Sequence, residues 1–266
     1  MTTKEIAKEI RRKILKMNFD AKGSHIGSSL SCVEILTALY FKVLKINPQK
    51  PRSDGRDRFV LSKGHAAAAL YAVLAQRGFF PENVLAGYCK DGGKLAGHSI
   101  RGCVPGVEVS TGSLGHGLPM ANGMALAGKR DKKKHRIFVL MSDGEMDCGT
   151  TWESALIGAH HKLDNLIVIV DFNGLQAMGE VKDILNIEPL KDKWQAFDWE
   201  VREIDGHNFE RIEKSLTLPP LEKGKPRVII AKTIKGYPIS FMRGNNLYHY
   251  KNLSEKEYLN ALKELQ

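Results

Sequence analysis

No apolar run in this sequence approaches the eighteen or more residues of a membrane-spanning helix, and the charged opening MTTKEIAKEIRRK does not read as a secretory leader. Cysteine is scarce. Cys32, Cys89, Cys103 and Cys148 form no CxxC pair and no metal-ligand spacing, which argues against a disulfide scaffold and a zinc site and makes a reduced, cytoplasmic setting the expectation. There is no GxGxxG and no Walker pattern, so neither dinucleotide nor P-loop chemistry is indicated. Lysine and arginine outnumber aspartate and glutamate by 40 to 30. Much of that surplus lies in KRDKKKHR (129–136), where no aromatic residue is interleaved to stack bases; a solvated loop is expected there rather than a nucleic-acid surface. The surplus suits phosphorylated substrates or an acidic partner chain. No internal repeat and no linker is visible, and 42% hydrophobic residues rule against global disorder. The expectation is one domain over 1–266, opening with a helical segment over about 1–50.

The stretch RIFVLMSDGEMDCGTTWESALIGAHHKLDNLIVIVDFNGLQ (136–176) organises the rest. Ile137 to Met141 is a short continuous apolar run, as a strand buried on both faces would be. Thr150 to Leu163 reads as a helix, with Trp152, Ala155, Leu156, Ala159 and Leu163 at three- and four-residue steps. Leu166 to Val170 is a second buried strand. Strand, helix, strand with short loops is a parallel βαβ unit. Asp143 and Asn173 then sit at the carboxyl ends of neighbouring strands, where open α/β sheets bind ligands. A carboxylate, a carboxamide oxygen and a loop carbonyl are hard ligands for Mg²⁺ or Ca²⁺. Taken as isolated residues, Asp143 could equally cap the next helix and Asn173 could serve a turn with Gly174.

Elsewhere the periodicity predicts helices over 3–18, from a capping box Ser31-x-x-Glu34 to about Leu44, over HAAAALYAVLAQR before Gly78, from Pro81, up to Gly128, over Ile187–Phe197, over Asn208–Leu216 and after Ser254-x-x-Glu257. Strands are expected over 57–62, 199–204 and 227–234. Two long loops, 91–112 and 235–250, interrupt this pattern, and loops of that length inside a compact domain are usually functional. The sum is an α/β fold: a doubly wound, mainly parallel sheet of about five strands with helices on both faces.

Asp143-Gly144 with Asn173 about thirty residues later resembles the thiamine diphosphate signature in the version used by transketolases. Glu145, Gly149, Trp152-Glu153 and Leu163-Asp164-Asn165-Leu166 extend the likeness. So do GSHIGSSLS, LSKGHAAAALYA, AGHSIRGCVPGVEVSTGSLGHG and KGYPISFMRGNNLYHY. The resemblance implies the family's thiamine diphosphate-binding fold, in the part that grips the diphosphate (PP domain). It implies that Asp143, Asn173 and the Leu175 carbonyl hold Mg²⁺, with Ca²⁺ or Mn²⁺ as substitutes, and that the metal holds the diphosphate. His65, Gly144, Glu145, Asn173 and His249 would contact the cofactor, with Gly112, Ser113 and Leu114 along its aminopyrimidine. His25, His98 and His249 would face the sugar and move its protons; an imidazole with a pKa of about 6.5 suits that work. Three departures stand out: Ser142 where the family has Gly, Cys148 where it has Glu, and Arg243 where related chains often have Glu.

The likeness covers nearly all of the chain but only the diphosphate-binding part of a complete transketolase. The glutamate that activates the aminopyrimidine belongs to the family's second domain, and no further βαβ unit is left to supply it. The expectation is therefore the N-terminal subunit of a split transketolase, completed by a C-terminal, pyrimidine-binding chain as an α₂β₂ assembly. It would transfer a two-carbon ketol unit from a ketose (phosphate) donor to an aldose. The alternatives are another thiamine diphosphate enzyme (1-deoxyxylulose-5-phosphate synthase-like or 2-oxoacid decarboxylating), a non-catalytic paralogue, or a basic nucleic-acid-binding module.

Overall fold

The computed structural model describes residues 1–266. Five strands form one parallel sheet: β1 (Arg58–Leu61), β2 (Ile137–Ser142), β3 (Leu166–Phe172), β4 (Glu200–Asp205) and β5 (Arg227–Lys232), in the order β1-β2-β3-β5-β4. Side chains alternate across a strand, so each apolar run feeds two cores. Phe138, Leu140, Ile167, Ile169 and Ile229 face one core, whereas Ile137, Val139, Met141, Val168, Val170, Val228 and Ile230 face the other.

The first core is covered by α1 (Thr3–Ala21), α2 (Ile26–Ser31), α3 (Val33–Ala38), α4 (Ala67–Arg77), α9 (Phe209–Thr217) and α10 (Glu255–Glu264). The second lies beneath α5 (Gly117–Arg130), α6 (Gly149–His160) and α8 (Leu190–Ala196), with the single turn α7 (Val181–Ile184) beside them. Helices thus flank both faces of the sheet. Ends are set where the sequence places its signals. Thr2 and Glu5 close a capping box on α1, Ser254 and Glu257 do so on α10, and Gly78 ends α4 with a left-handed φ of 88°.

Three expectations need correction. The helix expected from Ser31 to about Leu44 starts only at Val33, as α3 running into a π-turn over Leu39–Val43, and Ser31 instead ends the separate short helix α2. Ser31 caps nothing: its hydroxyl lies 2.6 Å from an Asp171 carboxylate oxygen, and Glu34 is paired with Arg11. Tertiary partners outcompeted the local box. The expected helix over 187–197 begins only at Leu190, directly after Pro189, which has no N–H to donate. In α6 the expected apolar stripe faces inward through Trp152, Ala155 and Ala159, with Leu163 buried just beyond the helix, and one of its residues does not. Leu156 is 58% exposed, while Thr151, Ser154, Ala155 and Gly158 are buried. Close approach decides this, because a Cβ on Gly158 would lie 2.8 Å from the Trp199 ring.

Candidate active site

The register sets Ser142 opposite Asp171, so the chain leaves β2 and β3 side by side. Asp143 opens a 3₁₀ turn there, and its two carboxylate oxygens accept the N–H groups of Gly144 (2.9 Å) and Gly174 (2.7 Å). Asn173 Oδ1 accepts from the Leu175 N–H at 3.1 Å. Burial, reinforced by the neighbouring Asp171, pushes the Asp143 carboxyl up to about 6. Such a carboxylate is poised for a cation.

Asp143, Asn173 and Leu175 line one cavity of about 260 Å³, with Gly144, Gln176, Ser28, Gly112 and Leu114. The same cavity collects His25, His65, His98 and His249 from four separate loops. His25 is the hub: its ring centroid lies 5.6 Å from those of His65 and His98 and 5.0 Å from that of His249. Its backbone is left-handed (φ 65°), and its N–H donates to the His249 carbonyl at 2.7 Å, which fastens the two loops together. Burial, with His98 and the Lys235 ammonium adding to it, brings His25 down to about 4. Burial and Lys235 bring His249 to about 3, and burial with Lys63 holds His65 well below the usual imidazole range. These three rings are neutral at pH 7.

Two buried lysines complete the site, and the sequence motifs single out neither. Lys63 pairs with Asp171 with neither side chain exposed, and also donates to the Ser28 carbonyl at 3.0 Å. Burial works against its charge, and Asp171, together with Cys32 and Asp143, more than offsets this, so its pKa is raised. Lys235 Nζ lies 3.3 Å from the Leu175 carbonyl, 3.1 Å from that of Gln176, and 3.0 Å from both Asn246 Oδ1 and His249 Nδ1. Burial brings it down to about 8. For Lys63 an available signal was a lysine set just past a buried apolar strand, as in FVLSK; in VIIAKTIK the same signal marks the exposed Lys232 rather than Lys235.

A family profile described as "Transketolase, thiamine diphosphate binding domain" matches residues 2–265. The chain belongs to the transketolase family. One of the subunits of the apulose-4-phosphate transketolase of Actinobacillus succinogenes is 46% identical over 98% of this chain and 94% of that protein. A 6-deoxy-6-sulfo-D-fructose transketolase subunit from Clostridium sp. is 42% identical over 91% of this chain and 88% of its own length. The crystal structure of Campylobacter jejuni transketolase matches with a TM-score of 0.93 and 31% identity, covering 100% of this chain and 43% of that one. The chain thus spans less than half the length of that solved transketolase.

Not every residue that the transketolase resemblance singled out reaches the cavity. Glu145 is fully buried and does not line it. Its carboxylate takes the Ser62 hydroxyl and the N–H groups of Gly115 (3.0 Å) and Ser142 (2.8 Å), so it braces the loops around the site. Ser113 is exposed on the outer side of its turn, within 3.2 Å of His116 Nδ1, while Gly112 and Leu114 face inward. The departures from the family pattern are accommodated. Ser142 has ordinary extended backbone (φ −91°, ψ 161°), which needs no glycine. Cys148 packs beneath Gly115, whose hypothetical Cβ would lie 2.6 Å from its own, and burial raises its thiol pKa. Arg243 is exposed over the Tyr237 ring, and the loop still delivers His249 to the cavity.

Proposed function

We propose that this chain is the N-terminal, diphosphate-binding subunit of a two-chain transketolase. One observation carries the proposal: the oxygen donors at two adjacent strand tips lie in the same cavity as four converging imidazoles. The donor set fits a hard divalent cation such as Mg²⁺, with Asp143, Asn173 and the Leu175 carbonyl as ligands. A cation stand-in supports that fit, because the Lys235 ammonium rests on the Leu175 and Gln176 carbonyls. His65, Gly144, His249 and Lys235 would then hold the diphosphate, and Gly112 and Leu114 would flank the aminopyrimidine.

When bound, thiamine diphosphate supplies the nucleophilic carbon and holds the electron pair released on C–C cleavage. The chain's own part is to bind, orient and move protons. His25 and His249, kept neutral, take protons from substrate hydroxyls, and His98 contacts the sugar at the rim. Ketol transfer from a ketose (phosphate) to an aldose is the reaction this arrangement favours over decarboxylation. Relatives of matching length are named as individual transketolase subunits, which supports a separate partner chain, in an α₂β₂ assembly. No helix is long and apolar enough to cross a membrane, and all four cysteines are free, which supports a reduced cytoplasmic setting.

Calorimetry with thiamine diphosphate and Mg²⁺, and a ketol-transfer assay, test this with and without the partner chain. Both chains together should turn over, and the lone chain should not; turnover by the lone chain would overturn the split reading. In the complex, D143N should weaken Mg²⁺-dependent cofactor binding by roughly 100-fold or more, since outer-shell losses alone reach 10–100-fold.

A further inference from the structure

We propose that Tyr250 selects which ketoses the site accepts, by walling the flank of the cavity on which His25 and His249 face the substrate; this rests on the transferase reading above. Tyr250 follows the 3₁₀ turn Asn246–His249 at the end of the second long loop. Its ring lies 4.7 Å from that of His249 and 5.8 Å from that of His25, each at 63°, and it lines the cavity. It remains 63% exposed.

A phenol left largely in water does little to hold a fold, and this loop does not need it. The His25 N–H grips the His249 carbonyl at 2.7 Å, Lys235 holds Asn246 at 3.0 Å, and Asn245 caps the turn through the Leu247 N–H at 3.1 Å. The neighbouring Tyr248 is the buried anchor, its hydroxyl 2.7 Å from Glu257. Tyr250 is therefore a large, rigid side chain placed at the rim where its packed face meets two site imidazoles. His98 approaches His25 from the other long loop, so a sugar reaching His25 passes between the two loops. A flat ring with few rotatable bonds at such a point limits the width of carbon chain that fits.

The test uses the complete two-chain enzyme carrying Y250A or Y250F, with kcat/KM measured for an unbranched and a branched ketopentose phosphate. Y250A should raise the branched-to-unbranched ratio by about tenfold or more, on the scale at which one methylene in a pocket alters selectivity 10–200-fold. Y250F keeps the ring and should leave the ratio within about twofold of wild type. Thiamine diphosphate affinity by calorimetry should be the same in both variants. An equal change for both sugars in Y250A, or the same shift in Y250F, would overturn the proposal. Weaker cofactor binding or loss of the complex on a sizing column would also overturn it, assigning Tyr250 to cofactor grip or subunit packing. Failure of the transferase reading shows separately, as a wild-type complex that transfers from neither sugar.

Discussion

Lys63 has no exposed surface, yet its charge ties together three segments that meet nowhere else in sequence. Asp171, at the end of β3, takes the Lys63 ammonium together with the hydroxyls of Ser31 and Thr233, and Lys63 reaches on to the Ser28 carbonyl in α2. Those contacts hold α2, which follows His25, against the strand that leads to Asn173. Burying two charges gains little over an apolar pair, but removing one strands the other in a low-dielectric interior. K63M should therefore destabilise the chain by about 3–5 kcal/mol, and the K63M/D171L double variant should recover part of that loss. Urea titrations of the three proteins check this; a double variant no better than K63M alone would show that the pair is not the source of the cost. Lys235, by contrast, contacts His249 Nδ1 and the Leu175 carbonyl expected to hold a cation, so its charge belongs to the site rather than to the fold.

At the scale of elements, α6 shows where a close physical reading of spacing succeeds and where it stops. Apolar residues at three- and four-residue steps identify a helix, and the helix is there. They do not identify which face approaches its neighbours most closely. Gly158 lies against the Trp199 ring, whose Nε1–H donates to the Ala155 carbonyl at 2.9 Å, and Asn122 donates to the Ser154 carbonyl at 2.8 Å. The consequence is testable: G158A should cost about 1–3 kcal/mol by overpacking. L156K, at the position that spacing marks as core, should change the lone chain's stability by no more than about 0.5 kcal/mol. Thermal denaturation of the two variants measures the contrast, and the reverse ranking would refute the observed packing. The same distinction explains what was legible elsewhere. The strands could be read because runs such as LIVIV are self-evident at short range, and the four histidines because each sits in its own glycine-rich string. The Ser31 box, the Lys63–Asp171 pair and the Lys235 contacts could not, since each depends on a partner far along the chain. Glu145 fell between the two: its neighbours in sequence suggested the cofactor, and only the folded loops show its carboxylate turned toward Ser62 and Gly115.

The whole molecule inherits a pH dependence from gathering imidazoles around one cavity with two buried ammonium groups behind them. In an unfolded chain each histidine titrates near 6.5. In the fold His25 is lowered to about 4 and His249 to about 3, with burial the main cause in each, and His65 lies well below the usual range. A histidine whose pKa is lowered by folding binds its proton more readily when unfolded. Its contribution is constant above about pH 6.5 and falls as the pH drops from there toward the folded value, because the unfolded chain then takes up more protons. Asp143 and Glu145 work in the opposite direction. Burial raises both, Asp143 to about 6, so the folded state gains protons there and is favoured as the pH falls below that value. The net curve mixes both signs, and a difference between two proteins separates them. H249N removes one descending contribution, along with the Nδ1 that lies 3.0 Å from Lys235 Nζ and loses its acceptor role when protonated. The melting temperature of H249N relative to wild type should therefore rise steadily as the pH is lowered from about 6.5 toward 4, whatever the offset between them at neutrality. Scans at intervals across that window, without cofactor, decide it; a constant offset would mean that His249 titrates as it does in the unfolded chain and that the cavity does not hold its imidazole neutral.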